Sequence, residues 1–172
     1  MKTAMELLMG LVSMVHVVFV SGQSLSMRFA RNLTPADHLS LRYERWTNSK
    51  LNVAVGGFME QSRKNNLNLS VYGAELLTEY ASNRVGYEAG AFGFRAGLGA
   101  SWQIEQEPWL YKDWTIKERS SLGLLGEVSG EWFMTDKFSL RLSTQQKFLL
   151  NQLLGRQRFL IGLSLVYKLS DY

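Results

Sequence analysis

His38 is the one histidine after residue 22, and Asp37 and Ser40 stand beside it. A hydroxyl, an imidazole and a carboxylate are the residue types of nucleophilic catalysis. The three are too close in sequence to converge from an extended strand. With no second histidine near it, His38 also lacks a partner for a metal site. It reads as a loop histidine. Glu127 and Glu131 are the other candidate pair. Four residues apart on a strand, they share one face but lie about 13 Å apart along the chain, too far for a paired acid and base. The chain has no cysteine, which removes thiol nucleophiles, thiolate metal sites and disulfides. Glycines 86, 90, 93, 97 and 99 lack the strand-loop-helix setting of a phosphate cradle and instead suit bends in a barrel wall. These residues predict a protein that is not an enzyme, with no metal and no cofactor.

The 172 residues are 46% apolar and 20% charged, a composition and length that suit one domain. The formal charge of +4 raises the question of a polyanionic partner. Cations alternate with acids, as in Glu44/Arg45, Arg63/Lys64 near Glu60, Lys112/Asp113 and Lys117/Glu118, so no basic stripe forms. Direct nucleic-acid binding is not expected. Residues 1–22 form a separate unit. Lys2 precedes an apolar stretch from Leu7 to Val20, and Val20-Ser21-Gly22 offers compact residues before Gln23, the pattern of a secretory signal cleaved near Gly22/Gln23. Glu6 and His16 are the two residues out of pattern. The remaining 23–172 is then a single exported domain.

From Gln23 onwards apolar and polar residues alternate with period two, broken by polar clusters. Eight strands are predicted, over 25–31, 38–47, 51–60, 67–80, 85–104, 120–134, 138–149 and 158–169. The second, fourth and sixth connections read as short turns at residues 47–50, 81–84 and 135–137, rich in Asn, Asp and Ser. The odd connections read as longer, at 32–37, 61–66, 103–118 and 150–157. Short turns at one rim and long loops at the other is the plan of an outer-membrane barrel.

The faces carry the same message. In the seventh segment Phe138, Leu140 and Leu142 oppose Ser139, Arg141, Ser143, Gln145 and Lys147. In the sixth, Leu122, Leu124, Val128, Trp132 and Met134 oppose Ser121, Gly123, Glu127, Ser129 and Glu131. Glu127 and Glu131 are expected to pair with Arg141 and Lys147 across the sheet, with Arg95 joining them. A soluble lipid carrier would turn the apolar face inward, and a membrane barrel would turn it outward around a charged lumen. Trp46, Tyr80, Trp102, Trp132 and Tyr167 fall near strand ends, where aromatic rings meet lipid headgroups. The expectation is therefore an all-β, eight-stranded antiparallel up-and-down transmembrane barrel, its lumen plugged by charge, with outer-membrane lipid as its partner. The 103–118 loop carries Trp109, Tyr111 and Trp114 as a candidate docking surface for a protein.

Three blocks add a resemblance: Phe92-Gly93-Phe94-Arg95-Ala96-Gly97-Leu98-Gly99-Ala100, then the run from Gly126 to Lys137, then Phe159-Leu160-Ile161-Gly162-Leu163-Ser164-Leu165. With the order of the segments around them, they resemble the TraO family of conjugative-transposon proteins, small outer-membrane barrels of the conjugation apparatus. The resemblance implies a structural or interaction part in conjugative DNA transfer, with other conjugation-apparatus proteins as partners and no catalytic residue. The alternatives are a generic small outer-membrane barrel serving adhesion or membrane integrity, and a lipid A-modifying barrel enzyme. One departure stands out at the C-terminus, where the alternation runs to Leu169 and Ser170-Asp171-Tyr172 follows out of phase. Either a late bulge or a recognition pattern ending at Leu169 accounts for it.

Overall fold

The computed structural model describes residues 22–32, 36–47, 50–64, 67–82, 90–107, 117–150 and 157–170. Eight strands form a closed antiparallel barrel in sequence order: β1 (Gln23–Asn32), β2 (Ala36–Trp46), β3 (Leu51–Lys64), β4 (Leu67–Ala81), β5 (Phe92–Glu107), β6 (Lys117–Phe133), β7 (Phe138–Leu149) and β8 (Gln157–Ser170). Closure comes from the first and last strands, which pair from Gln23↔Ser170 to Asn32↔Leu160. That pairing leaves no open edge among the strands. The start of β1 and the end of β8 lie at one rim, together with the β2–β3, β4–β5 and β6–β7 connections. We call this the near rim, and the opposite one the far rim.

The strands follow the period of the sequence, but the connections do not follow the expected rhythm. β1 to β2 takes only residues 33–35 and β3 to β4 only 65–66, because pairing runs out to Asn32↔Ala36 and Lys64↔Leu67. The fourth connection, expected as a turn at 81–84, occupies 82–91, and β5 begins at Phe92 rather than at 85. Within it, residues 83–89 lie outside the described residues. Gly90 takes φ 94° and donates its backbone N–H to the Phe133 carbonyl at 2.7 Å. That left-handed conformation is one that glycine adopts without steric cost. The sixth connection is a tight turn in which the Thr135 hydroxyl accepts the Phe138 N–H at 3.0 Å. At the C-terminal end the register of β8 against β1 slips by one residue, from Ser24↔Lys168 to Gln23↔Ser170. Leu169 is the extra residue of a late bulge, which accounts for the change of phase. Residues 1–21, 171 and 172 lie outside the described residues, and with them most of the expected export signal.

Period-two alternation sorts every strand into two faces, and the sorting is inverted relative to a soluble protein. The buried set is dominated by Glu, Arg, Ser, Gln and Asn, whereas Met27, Phe29, Leu41, Leu76, Leu98, Leu124, Leu142 and Ile161 stand 47–77% exposed. The outward aromatics form two girdles. Tyr80, Phe92, Phe94, Trp132, Phe138 and Tyr167 ring the near rim, and Phe29, Tyr72, Trp102 and Phe148 ring the far one. Tyr72 and Tyr80 are separated by about 27 Å along β4, which a tilt of roughly 40° projects to about 20 Å, close to the apolar band of a membrane barrel. Trp46 is the exception among the expected interface aromatics. Its parity points it into the lumen, where it is 5% exposed.

This sorting makes a direct prediction. Leu142→Arg, midway along β7 on the outer face, should lower the unfolding free energy in lipid vesicles by about 2–4 kcal/mol. Phe138→Arg, in the near-rim girdle, should cost about 0–1 kcal/mol. Equal losses at the two positions would contradict an apolar band centred on the barrel's waist.

Candidate functional site

The barrel's interior is a single ion network to which every strand contributes. Seven glutamates (44, 60, 75, 79, 105, 127 and 131) face five arginines (28, 42, 95, 141 and 158) and Lys147, all buried. Their positions follow parity: even numbers on β1–β3, odd on β4–β7, even again on β8.

The network divides into three levels. At the near rim Arg141 holds Glu44 bidentately, at 2.6 and 2.8 Å, and donates to Glu131 at 3.1 Å. Arg95 bridges Glu44, at 3.2 Å, and Glu131, and lies 3.6 Å from Glu79. Its guanidinium sits 4.6 Å over the Trp46 ring, a cation–π contact made by the inward-facing indole. Ser26 and Asn52 donate to further Glu44 oxygen sites at 2.9 and 3.3 Å, and Asn52 donates to Glu79 at 2.8 Å. At the middle level Arg42 grips Glu127 bidentately, at 3.0 and 2.7 Å, and donates to Glu75 at 2.9 Å. Arg28 donates to Glu127 at 3.0 Å and to Gln145 at 2.8 Å. Lys147 reaches Glu75 at 2.6 Å with its ammonium 3.7 Å over Phe58. At the far level Arg158 links Glu60 at 2.9 Å and Glu105 at 2.7 Å.

The residues singled out from sequence, Arg95, Glu127, Glu131, Arg141 and Lys147, all lie in this network, but their pairing differs from the expected one. Only Glu131 meets Arg141 directly across β6 and β7. Glu127 stands opposite Gln145 in the ladder and takes its cations from β1 and β2, across the lumen. Lys147 likewise goes to Glu75 on β4. A lumen this narrow lets long side chains cross it, so ladder neighbours are not the only partners within reach. Arg28, Arg42, Glu44, Glu75, Glu79 and Glu105 were not anticipated. The signal that could have found them is parity, because once one inward residue on a strand is known the rest follow. Glycine makes the crossing possible: a Cβ on Gly56 would lie 2.6 Å from Arg42 Cγ.

His38 is not a loop residue. It lies in β2, fully buried, stacked on Phe58 with ring centroids 5.1 Å apart. Arg28 Nη2 stands 3.2 Å from its Nε2. Since a guanidinium can only donate, Nε2 accepts, and the ring proton belongs on Nδ1, on the side of Glu60. Asp37 projects to the exposed outer side while His38 and Ser40 face the lumen, so the three do not form a catalytic group. Among the described residues no set of three or more His, Cys, Asp or Glu side chains could hold a metal ion. Trp109, Tyr111 and Trp114 lie outside the described residues. Tyr80, Trp102, Trp132 and Tyr167 project outward, 37–49% exposed, and Trp102 donates its indole N–H to Ser120 at 2.8 Å.

A closed eight-stranded antiparallel barrel with an apolar outer wall and a charged, filled lumen is the fold of the small outer-membrane β-barrels. Solved structures agree. The chain is similar to Neisserial surface protein A (NspA), with a TM-score of 0.64 at 10% identity over 85% of this chain and 94% of that one. It is similar to the N-terminal β-barrel domain of Pseudomonas aeruginosa OprF, with a TM-score of 0.62 at 10% identity over 86% and 97%. It is also similar to the outer membrane protein OprG from Pseudomonas aeruginosa, with a TM-score of 0.60 at 13% identity over 88% and 97%. No protein-family model matches the chain, and no curated protein matches it.

Removing one partner from a buried ion cluster leaves an uncompensated charge. Arg141→Met should therefore lower stability by about 3–5 kcal/mol in urea unfolding from detergent micelles, since it leaves Glu44 and Glu131 to share the single cation Arg95. Lys147→Met should cost less, because a single carboxylate, Glu75, loses a partner and it retains Arg42 at 2.9 Å. Adding Glu44→Gln to Arg141→Met should recover part of the loss. If it deepened the loss instead, the two residues would not be coupled as their geometry requires.

Proposed function

We propose that this chain is a non-catalytic outer-membrane barrel, exported by its N-terminal segment and anchored in lipid by its wall, that serves as a rigid platform for its connecting loops. The observation that carries this reading is the inverted sorting of side chains. Seven buried glutamates paired with six buried cations inside and two aromatic girdles outside suit a bilayer and suit water poorly. The similar barrels belong to outer-membrane or surface proteins, which favours the generic reading of the fold. A non-catalytic role is supported by the network itself, in which acids are matched with cations and held by neighbouring side chains rather than poised at an open cleft. The filled lumen also argues against a channel.

The more particular proposal is a part in conjugative DNA transfer, with other proteins of that apparatus as partners. Its support is the resemblance to the TraO family. The three blocks behind it fall on β5, on β6 with its following turn, and on β8. None of the similar structures described above concerns conjugation, so this proposal rests on sequence blocks alone.

Membrane fractionation followed by electrophoresis with and without boiling tests the platform reading. The expected outcome is recovery with the outer membrane and a band that shifts on heating. In planar bilayers the purified barrel should carry no steady current. A soluble protein without a heat shift would overturn the membrane anchor. Deletion in a donor strain then tests the particular proposal: mating efficiency should fall and be restored by the full chain, and unchanged mating would leave the generic barrel.

A further inference from the structure

Seven buried glutamates face six buried cations in the lumen, so one carboxylate is in excess, and the geometry singles out Glu79. Each of the other six has a cation within 3.1 Å. Glu79 has Arg95 at 3.6 Å, too long for a hydrogen bond. The Arg95 nitrogen nearest to it donates to Glu44 instead, at 3.2 Å, and the other terminal nitrogen goes to Glu131. Arg141 is likewise taken up by Glu44 and Glu131.

The hydrogen bonds around Glu79 show the same deficit. Asn52 stands directly opposite it in the β3–β4 ladder, and both residues are fully buried. The Asn52 amide nitrogen donates to Glu79 Oε2 at 2.8 Å and to Glu44 at 3.3 Å. That leaves two buried oxygens with no donor, Glu79 Oε1 and Asn52 Oδ1, on facing residues. The immediate surroundings are apolar. Leu77 and Ala81 flank Glu79 on its own strand, and Gly97 faces it on β5, so close that a Cβ there would lie 2.9 Å from Glu79 Cγ. An ionised carboxylate without a bonded cation is costly in such a place. A water molecule would supply a donor but not the missing charge. One proton supplies both.

We propose that Glu79 and Asn52 form a proton-binding site that fills when the barrel closes. The proton comes from water onto Glu79 Oε1, which donates to the Asn52 carbonyl oxygen while the Asn52 N–H donates to Oε2. A carboxylic acid and a carboxamide each carry one donor and one acceptor for this reciprocal pair. Only the new O–H bond forms, and six ionised carboxylates then match six cations. The charged groups that face the pair are Glu44 from β2, Arg95 from β5, Glu127 and Glu131 from β6 and Arg141 from β7, with Glu75 further along β4 and Arg28 on β1 at the middle level. Two further inward cations are half-buried towards the ends of the barrel. Lys168 lies 4.8 Å over Phe133 on β8, the wall opposite β4, and Arg119 stands opposite Glu105 at the far end. A glutamate in the unfolded chain is ionised at neutral pH. The folded chain therefore holds one proton more than the unfolded chain, and the contribution of this site to stability falls as pH rises.

The inference goes beyond the platform reading and needs only the closed barrel. Infrared spectroscopy of the full chain, folded in detergent micelles in heavy water near neutral pH, tests it. The unmodified chain should show one carbonyl band of a protonated carboxylic acid. The band should vanish in Glu79→Gln, persist in Glu105→Gln, and move in Asn52→Leu, which removes the acceptor, each variant keeping its heat-modifiable mobility. In urea unfolding, the ratio of the folding constant of the unmodified chain to that of Glu79→Gln should fall about tenfold for each pH unit above neutrality. If Glu79→Gln does not fold, the displacement of the band by Asn52→Leu decides. Absence of an acid band in the folded chain, a band that survives Glu79→Gln or ignores Asn52→Leu, or a ratio that does not change with pH would overturn the proposal. So would a ratio that rises with sodium chloride and not with choline chloride, which would put a sodium ion where the proton is proposed.

Discussion

Everything in this structure depends on keeping seven buried carboxylates in company with six buried cations. Ionised groups taken out of water are tolerable only when paired and hydrogen-bonded. Here the pairing cannot be completed within one hairpin. Glu127 on β6 depends on Arg28 and Arg42 from β1 and β2, Glu75 on β4 depends on Lys147 from β7, and Glu60 on β3 depends on Arg158 from β8. The polar interior is therefore satisfied only when the barrel is closed, so closure and charge neutralisation are one condition.

The outer wall is the other half of that condition. Filling the lumen with polar side chains sends the alternate residues of each strand outward, and those residues are leucine, phenylalanine, valine and isoleucine. A lipid surround accepts this arrangement, and the girdles at Tyr80, Trp132 and Tyr167 and at Tyr72, Trp102 and Phe148 mark where it ends. With its lumen occupied and its wall committed to lipid, such a barrel leaves the rims and any specialised patch of wall for interactions with other molecules. Rigidity follows from the same bonds, because movement of one strand would expose charge on several others.

Much of this was legible along the chain. The eight strands, their faces and the lumenal placement of Arg95, Glu127, Glu131, Arg141 and Lys147 follow from period-two alternation, which is set by backbone geometry and needs no neighbours. What was misread involved reach across space. Trp46 lies near a strand end and resembles an interfacial aromatic until Arg95, forty-nine residues away, is seen beneath it. His38 looks like a loop residue because Pro35 and Asp37 precede it, yet β1 and β2 remain paired to Asn32↔Ala36. The expected rhythm of short and long connections failed for a related reason. Polar residues such as Gln61 and Ser62 mark turns in isolation but continue a strand when a partner is there to pair with them.

The sequence by itself determined the number of strands, which side chains share a face, and the impossibility of thiol or disulfide chemistry, because composition and local periodicity depend only on residue order. The tertiary structure alone decided which acid meets which base. It also decided that Trp46 and His38 belong to the interior. Those relations join residues up to about a hundred positions apart, as Arg28 and Glu127 are. Ring closure sets them, and no local pattern along the chain carries information about the far side of a ring.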